Sequence, residues 1–287
     1  MNKLVIFGVG LIGGSVALAL KKAGSRTHIV GVGRSEKSLK EALKLNVIDA
    51  LETNIHKAVT DADLILIAAP VAQTKAILQS IQAHLGVNTV ITDAGSTKGD
   101  VLTCAKEILG EQFSQFVGGH PIAGAEKSGV SAAKSDLFLG KNVVLTPAPE
   151  TNIHAVHRAS ELWQVCGANV SEMSAETHDS IFAAVSHLPH LLAFALVDDI
   201  AARPNAEQLF SFAASGFRDF TRIAGSHPEM WRDISLANKE ALLGEINAFE
   251  VELSQIKQYL ANENGAGLQA LFERASVARN NWAKNKQ

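Results

Sequence analysis

The feature that most constrains the fold is a glycine-rich turn close to the start of the chain. The apolar run LVIF leads straight into GVGLIG, residues 8–13, and a helical pattern follows. Gly8 permits a tight turn, Gly10 lets backbone approach a pyrophosphate, and Gly13 lets helix and strand pack closely. The helix N-terminus adds amide donors and the positive end of a dipole. The turn therefore predicts a strand–turn–helix unit that binds a dinucleotide. The residues predicted to contact it are Gly8, Gly10, Leu11, Ile12 and Gly13.

Short apolar strand patterns alternate with helical patterns through the first half of the chain. The strand patterns read LVIF, HIVGVG, LILIAA and TVITDAG, with segments of helix length between them. Such alternation is typical of a parallel sheet with crossover helices. Three further short strands, QFVGGH, KNVVLTP and ANVSEM, complete the pattern. The fold class predicted for residues 1–172 is therefore α/β, a Rossmann-type and mainly parallel sheet domain.

From residue 173 onward the sequence shows helical patterns only. The segment SAETHDSIFAAVSHLPHLLAFALVDDIAA predicts one long helix, with Ser174 as its N-cap and a kink at Pro189. Residues 173–287 are expected to form an all-helical domain, with no further domain after it. Because the long helix is apolar on most faces, a second copy of the chain would bury part of it. We therefore expect a homodimer that forms through the helical domain.

Composition excludes several classes of function. The net charge is −3 with both signs interspersed, so no basic face predicts nucleic-acid binding. The two cysteines, Cys104 and Cys166, are far apart and lack metal-ligand spacing, which argues against a disulfide framework and against a metal site. No apolar stretch reads as the roughly 20 residues that would cross a bilayer. We expect a cytoplasmic protein whose partner is a small molecule, rather than nucleic acid or a membrane.

The end of the second predicted strand bears on the choice of dinucleotide. An NAD-selective site places Asp or Glu about 20 residues after the glycine turn, where it binds the ribose 2′-hydroxyl. This chain has Gly33, Arg34 and Ser35 in that region. Glycine leaves room for a 2′-phosphate, and arginine and serine can bind it. The sequence therefore favours NADP over NAD, although Glu36 lies close by and Ser35 is also suited to capping the next helix.

Side chains that could bind a ligand or take part in catalysis follow several of the predicted strands. In an open α/β sheet, ligands bind outside the carboxyl ends of the strands. There Pro70 is expected beside the cofactor, and Ser96 as a hydrogen-bond donor into the cleft rather than only a helix cap. Lys98 could neutralise a substrate carboxylate, although it is better explained as a surface lysine. His120 precedes Pro121, which favours an extended backbone and fixes its position. An imidazole is suited to accept a proton from a hydroxyl while hydride leaves the neighbouring carbon, so the sequence predicts a dehydrogenase.

The helical region contributes two further groups. His187 and His190 lie three residues apart around Pro189, so they project from one helix face. Taken alone, each of them is more often a hydrogen-bonded core histidine than a ligand. Downstream, the segment GFRDFTRIAGSHPEMWRD brings three arginines and a tryptophan together. A guanidinium is the natural partner of a carboxylate substrate.

These segments together resemble one enzyme family. GxGxxG, DxGSxK, GGHPIAGxExSG, HDxxFAxVSHLPHLLAFALVD and FRDFTRIAxSxPxMWRDI occur in that order and cover nearly the whole chain. The combination is similar to the prephenate and arogenate dehydrogenases of tyrosine biosynthesis. The resemblance implies an oxidoreductase for which prephenate or arogenate is the substrate: hydride passes to NADP or NAD, the ring carboxylate leaves as carbon dioxide, and the ring becomes aromatic.

The resemblance also implies roles for single residues. His120 matches a catalytic histidine that bonds the ring hydroxyl, and Ser96 matches a serine that bonds this hydroxyl region and the histidine. Glu126 resembles a residue that lines and gates the pocket. Ala125 stands where some members carry threonine, which leaves the choice between prephenate and arogenate open. The helical residues that match the substrate pocket are His187, His190, Arg222 and Trp231.

Two alternative functions remain open at this level. A β-hydroxyacid or 6-phosphogluconate-type dehydrogenase also joins a Rossmann-type domain to a helical one. Such enzymes use a lysine in the helical domain, and the SHLPH segment has none nearby. A non-catalytic dinucleotide-binding protein is the other alternative, against which His120, Ser96 and Arg222 argue when taken together.

Overall fold

A computed structural model describes residues 1–125 and 127–284 of the chain. Eight strands form a single sheet in the order β3-β2-β1-β4-β5-β6-β7-β8. Neighbouring strands are parallel except β6 and β7, which run antiparallel. The predicted α/β class with a mainly parallel sheet is therefore confirmed. The strands are β1 Lys3–Phe7, β2 His28–Val32, β3 Ala50–Leu51, β4 Leu64–Ile67, β5 Val90–Asp93, β6 Phe116–Pro121, β7 Asn142–Thr146 and β8 Asn169–Glu172.

The strand order reverses at β1, and this reversal locates the ligand crevice. β1 pairs with β2 on one side and with β4 on the other, so the connections from these strands leave in opposite directions. The carboxyl ends of β1, β4 and β5 then open onto a common edge, where doubly wound folds bind dinucleotides. Both faces of the sheet are covered, because buried side chains form one apolar cluster on each side.

Thirteen α-helices occur in the described residues. Those that accompany the sheet are α1 Leu11–Lys22, α2 Glu36–Lys44, α3 Ile55–Val59, α4 Thr74–Ile81, α5 Gly99–Leu109 and α6 Ile153–Val165. Those that follow it are α7 Ala175–Phe182, α8 Leu188–Ala201, α9 Ala206–Ser211, α10 Ser215–Thr221, α11 Pro228–Ala237, α12 Lys239–Ala261 and α13 Gly265–Lys284. The sequence patterns missed β3 and α3, which are only two and five residues long.

The long helix predicted after Ser174 is two helices joined by a wider turn. Ser174 caps α7 as expected, accepting a hydrogen bond from the backbone N–H of Thr177. A π-helical turn, Ala183–His187, then leads into α8, in which Pro189 is among the first two residues. Proline is tolerated in a first helical turn because its missing N–H would be unpaired there. The expected kink is thus a change of helical register, which is the usual form of such a π-turn.

The continuous helical stretch Ala175–Ala201 is long and apolar enough to cross a membrane by length and composition. The expectation that no stretch of the sequence has these properties was therefore wrong. Such a helix is weak evidence of a membrane span, since core helices of soluble proteins share its length and composition. In this chain the stretch carries polar residues that the protein itself buries: His178, Asp179 and His187.

The chain divides into two compact units, Met1–Lys239 and Glu240–Gln287. The first contains the whole sheet and every helix through α11. In the second, α12 and α13 meet at a turn in which Glu263 adopts a positive φ of 50° and Asn264 accepts a hydrogen bond from the Gly267 N–H. The boundary expected between residues 172 and 173 differs from this division and stays a prediction.

Candidate active site

The glycine turn between β1 and α1 has the shape that a pyrophosphate needs. Gly8 has a φ of +94°, and a Cβ there would lie 2.6 Å from the carbonyl oxygen of Ala68. A Cβ on Gly13 would lie 2.3 Å from the carbonyl oxygen of Gly8, so helix and turn touch at this point. Gly10 faces open space and begins α1 without a side-chain cap. The residues present therefore fit a dinucleotide, because the first N–H groups of α1 are open to a phosphate.

The residues predicted to bind the 2′-phosphate of NADP lie just after the end of β2. Arg34 is exposed, as is Gly33 before it. Ser35 caps α2, since its hydroxyl accepts a hydrogen bond from the Ser38 N–H at 3.2 Å. Glu36 forms an ion pair with Lys40 at 2.8 Å, and this contact lowers the pKa of the Glu36 carboxyl. Arg34 is thus the side chain at this edge that is open to a phosphate.

Pro70 lies at the same edge of the sheet, just beyond β4. It is exposed and leads into a single 3-10 turn, Val71–Gln73. The chain next to it is already close to the glycine turn, because the Ala68 N–H donates to the carbonyl oxygen of Phe7 at 2.8 Å. The structure therefore brings Pro70 near the predicted cofactor residues.

A buried ion pair joins the loop after β5 to β6. The ammonium of Lys98, which is fully buried, bonds one carboxylate oxygen of Asp93. Lys98 Nζ also donates to the carbonyl oxygen of Gly119 at 2.8 Å, and the Gly119 N–H donates to Asp93 Oδ1 at 2.9 Å. The pair thus holds both backbone groups of the residue before His120. Both interpretations of Lys98, a surface lysine and a partner for a substrate carboxylate, were wrong, because the ammonium is buried and paired with Asp93.

His120 is linked to a second histidine and through it to a carboxylate. His120 Nδ1 lies 2.8 Å from Nε2 of His178, and His178 Nδ1 lies 2.8 Å from Oδ1 of Asp179. Asp179 also accepts from the backbone N–H groups of Lys98 and Gly99, at 2.9 and 2.7 Å. The ring of Phe182 packs beside both imidazoles, at 4.8 and 4.5 Å between ring centroids.

The pKa values in this chain keep both histidines neutral. Burial lowers the pKa of His120 well below its ordinary value, and the charges of His178, Lys98 and His187 add to the effect. Burial also lowers the pKa of His178, against the opposing hydrogen bond to Asp179. Burial raises the pKa of Asp179, but the hydrogen bonds from His178, Gly99 and Lys98 outweigh it, so the net shift is downward. Asp179 is therefore a carboxylate at neutral pH.

Ser96 lies in the loop between β5 and α5, half-buried. In the described part of the chain it makes no hydrogen bond to His120, whose Nδ1 is bonded to His178 instead. Its expected contact with the substrate hydroxyl stays a prediction. Glu126, the other residue expected from this side of the site, lies outside the described residues.

A second polar group is formed by the π-turn and α11. Asn238 Nδ2 donates to the carbonyl oxygen of Asp179 at 2.8 Å and lies 3.2 Å from Nδ1 of His187. His187 is buried, and burial lowers its pKa to about 4, so the ring is neutral. Because its Nδ1 accepts from Asn238, the proton sits on Nε2, which has no hydrogen-bond partner within residues 1–125 and 127–284.

His190 and Trp231 are brought into direct contact. The rings stack at 3.6 Å between centroids with an interplanar angle of 20°. His190 Nδ1 donates to the carbonyl oxygen of Ser186 at 2.8 Å, which leaves Nε2 as an acceptor. Burial lowers the pKa of His190, the hydrogen bond to Ser186 opposes this, and the positive charge of Arg222 lowers it further. His190, Trp231 and Arg222 therefore belong to one neighbourhood.

Sequence reasoning missed four residues of this site: Asp93, His178, Asp179 and Asn238. His178 and Asp179 begin the HD motif that the family resemblance included, yet neither residue was assigned a role from the sequence. The available signal was a neighbouring His and Asp, two groups that can hydrogen-bond, on a helix already rich in histidine. The sequence offers no comparable signal for Asn238, which meets His187 only through the packing of α11.

Two family models together match most of the chain. The nucleotide-binding domain of prephenate dehydrogenase matches residues 16–172, and the dimerization domain of prephenate dehydrogenase matches residues 174–274. Among curated proteins, the prephenate dehydrogenase of Bacillus subtilis is 41% identical over 281 residues, which cover 97% of this chain and 75% of that protein.

Solved structures show the same similarity. A prephenate dehydrogenase from Aquifex aeolicus, solved with hydroxyphenyl propionate and NAD+, has a TM-score of 0.91 and 38% identity, and the match covers 97% of each chain. The arogenate dehydrogenase of Synechocystis has a TM-score of 0.83 and 26% identity over 98% of this chain and 99% of that one.

Proposed function

Because this chain belongs to the prephenate dehydrogenase family, we propose that it catalyses the oxidative decarboxylation of prephenate, with hydride transfer to NAD(P)+. The product is 4-hydroxyphenylpyruvate, a step of tyrosine biosynthesis. The observation that carries the proposal is the position of His120 at the carboxyl edge of the sheet, with Nδ1 bonded to His178 and Nε2 making no hydrogen bond in the described residues. The alternatives, a β-hydroxyacid-type dehydrogenase and a non-catalytic binding protein, gain no support from the relatives.

The reaction requires little from the protein beyond orientation and one proton acceptor. The glycine turn of Gly8, Gly10 and Gly13 would hold NAD(P)+, which would supply the hydride acceptor for the ring carbon that bears the hydroxyl. His120 Nε2 accepts a hydrogen bond from that hydroxyl and stabilises the positive charge that develops as hydride leaves. The ring carboxylate departs as carbon dioxide, and its electrons complete the aromatic ring. The Nε2–H of His187 and the guanidinium of Arg222 are suited to hold the carboxylates, and the ring of His190 stacks on Trp231 in the same neighbourhood.

The decisive experiment is an absorbance assay at 340 nm with prephenate and with arogenate, each with NADP and with NAD. We expect turnover with prephenate, since relatives at 41% and 38% identity carry that name and the arogenate dehydrogenase is 26% identical. Turnover of arogenate alone would overturn the substrate assignment. Absence of turnover with either substrate, in protein that binds the cofactor, would overturn the reaction.

NADP is the preferred cofactor in this proposal. Support comes from the exposed Arg34 after β2, where a carboxylate would repel a 2′-phosphate, and from the engagement of Glu36 with Lys40. The Aquifex protein was solved with NAD+, so the preference needs its own test. Arg34→Ala should raise the KM for NADP and leave the KM for NAD unchanged. Arg26→Ala, at an exposed arginine before β2, serves as the matched control. Equal KM values for NADP in both variants would contradict the preference.

We further propose a cytoplasmic homodimer that forms through the helical region. Several large apolar side chains there are exposed in the single chain: Val185, Phe212, Phe220 and Leu236. The second family model, which is named for dimerization, covers all four positions. Cys104 and Cys166 are free thiols, as a reducing compartment requires. Light scattering at micromolar concentration should give about twice the mass of the 30.5 kDa chain. A mass of 30.5 kDa alone would refute the dimer.

A further inference from the structure

The hydrogen bonds from Asp179 to His120 determine which ring nitrogens carry protons. Asp179, as a carboxylate, can only accept, so His178 donates to it from Nδ1. A neutral imidazole carries one proton, so Nε2 of His178 must accept. The group 2.8 Å from it, Nδ1 of His120, must therefore donate. This leaves the lone pair of His120 on Nε2, the nitrogen that makes no hydrogen bond in the described residues.

The carboxylate that sets this order is held in place independently of the histidines. Two backbone N–H groups, of Lys98 and Gly99, fix its oxygens at the start of α5. The side chain of Lys98 in turn bonds Asp93 and the carbonyl oxygen of Gly119. The segment from residue 93 to residue 99 thus fixes both ends of the hydrogen-bonded series from Asp179 to His120. It holds the backbone before His120 and the carboxylate that faces His178.

We propose that His178 and Asp179 are positioning residues that fix His120 as the Nδ1–H tautomer and so present Nε2 as the proton acceptor. The proposal rests on the proposed function only for the identity of the hydroxyl that Nε2 meets. Without Asp179, His178 would be free to carry its proton on Nε2. His120 would then accept at Nδ1 and carry its own proton on Nε2, where it could no longer accept one.

The chemistry of the proposed reaction suits a series of hydrogen bonds that ends at a buried carboxylate. Hydride leaves the ring carbon that bears the hydroxyl and carbon dioxide leaves the carbon opposite it in the ring, but the product keeps the hydroxyl as a phenol. A proton taken by Nε2 during hydride transfer therefore returns to the same oxygen as the ring becomes aromatic, and no proton is released. His178 is fully buried, and Asp179 has each of its oxygens bonded within the protein. The pair can thus stabilise a transient imidazolium on His120 without carrying its proton to water.

The charges around His120 act in both directions. Lys98, His178 and His187 face it from the loop after β5, from α7 and from the π-turn, and a positive charge on any of them opposes an imidazolium. The carboxylates of Asp93 and Asp179 face His178 and favour positive charge there. Because Lys98 is already paired with Asp93, Asp179 is the carboxylate that acts along the histidine chain.

The direct test is the 15N spectrum of histidine-labelled protein without substrate, so that it is independent of any turnover. Protonated and bare ring nitrogens of a neutral imidazole differ clearly in 15N shift, and the His120→Asn variant identifies the signals of His120. We expect the proton on Nδ1 of His120 in the wild type and on Nε2 in Asp179→Asn. An Nε2–H tautomer in the wild type, or an unchanged tautomer in folded Asp179→Asn, would overturn the proposal.

A pair of variants at His178 keeps the test open should Asp179→Asn fail to fold. Glutamine can place its amide oxygen near the position of Nε2 and still accept from His120, whereas leucine cannot. His178→Leu should lower kcat by roughly 10²–10³-fold with little change in the KM for prephenate, and His178→Gln should recover most of that loss. His154→Gln, at an exposed histidine of α6, is the control with unchanged rate.

Two outcomes would contradict the proposal. Equal kcat values for folded His178→Leu and the wild type would remove His178 from the positioning of the base. Equal losses in the leucine and glutamine variants, with circular dichroism like that of the wild type, would show that acceptance at Nε2 is not what His178 provides.

Discussion

At the scale of single residues, the two ring nitrogens of His120 have different functions. One is directed to the substrate in the proposed reaction, and the other holds the ring in place. The imidazole is partly buried at the carboxyl edge of the sheet, and its Nδ1 is bonded inward to His178. The sequence singled out this histidine because the following Pro121 favours an extended backbone and fixes its position. Its partner was not predicted, because His178 lies 58 positions away.

His120→Asn should lower kcat by about two to four orders of magnitude, since a proton acceptor positioned at the reacting group typically contributes that much. The KM for NADP should stay close to that of the wild type, because the glycine turn is untouched. Steady-state kinetics at saturating prephenate measures both values. A near-normal kcat would take His120 out of the mechanism.

The buried ion pair gives a prediction about stability. Lys98→Met leaves the Asp93 carboxylate buried without its partner, which costs about 3–5 kcal/mol in the free energy of unfolding. The double variant with Asp93→Asn removes the unpaired charge and should recover part of that loss. Urea unfolding followed by circular dichroism compares the three proteins. A double variant no more stable than Lys98→Met would contradict the assigned pairing.

At the scale of elements, the junction of β1 and α1 contains two glycines with different environments: one packs against protein atoms, and the other faces the space expected for the pyrophosphate. A Cβ on Gly13 would collide with the backbone of Gly8 and with Ile6, whereas a Cβ on Gly10 would meet nothing in the protein. The packing predicted for Gly13 is confirmed, because the geometry of the turn is local, and the pyrophosphate contact of Gly10 stays a prediction.

Gly13→Ala should therefore lower both the free energy of unfolding, by about 1–3 kcal/mol, and the affinity for NADP. Gly10→Ala is the matched comparison: it should unfold at nearly the wild-type urea concentration and lose NADP affinity alone, because only the bound pyrophosphate approaches that Cβ. Equal unfolding midpoints for both alanine variants would contradict the packing assigned to Gly13.

At the scale of the whole molecule, the site buries four histidines in neutral form, and this makes stability depend on pH. Burial lowers the pKa of each of them in the fold: His120, His178, His187 and His190. In the unfolded chain each would take up a proton near its ordinary value of 6.5. Stability is therefore complete above pH 6.5 and decreases as pH falls, because the unfolded state then binds more protons.

The pKa of His187 defines the pH range over which this residue affects stability. Its pKa of about 4 in the fold means that its contribution is lost between pH 6.5 and about 4 and is constant below that. The loss from this residue alone is on the order of 3 kcal/mol. His187→Asn should flatten the decline of the urea midpoint over that window, and the exposed His154→Gln should not. A decline of equal slope in both variants would contradict the assignment to His187.

The sequence by itself determined the alternation of strands and helices through the sheet domain, the glycine turn and the presence of a histidine at the carboxyl edge of the sheet. These depend on local properties: strand periodicity, the missing Cβ of glycine and the chemistry of imidazole. The tertiary structure decided what surrounds His120. It turned Lys98 inward to Asp93, because an ammonium enclosed between β5 and β6 needs a buried anion more than a surface position. It also joined Asp179 to His120 through His178, and Asn238 to His187. Residues so far apart in the sequence come into contact only when the packing of their helices and strands sets the distances between them. Local sequence patterns do not predict those distances.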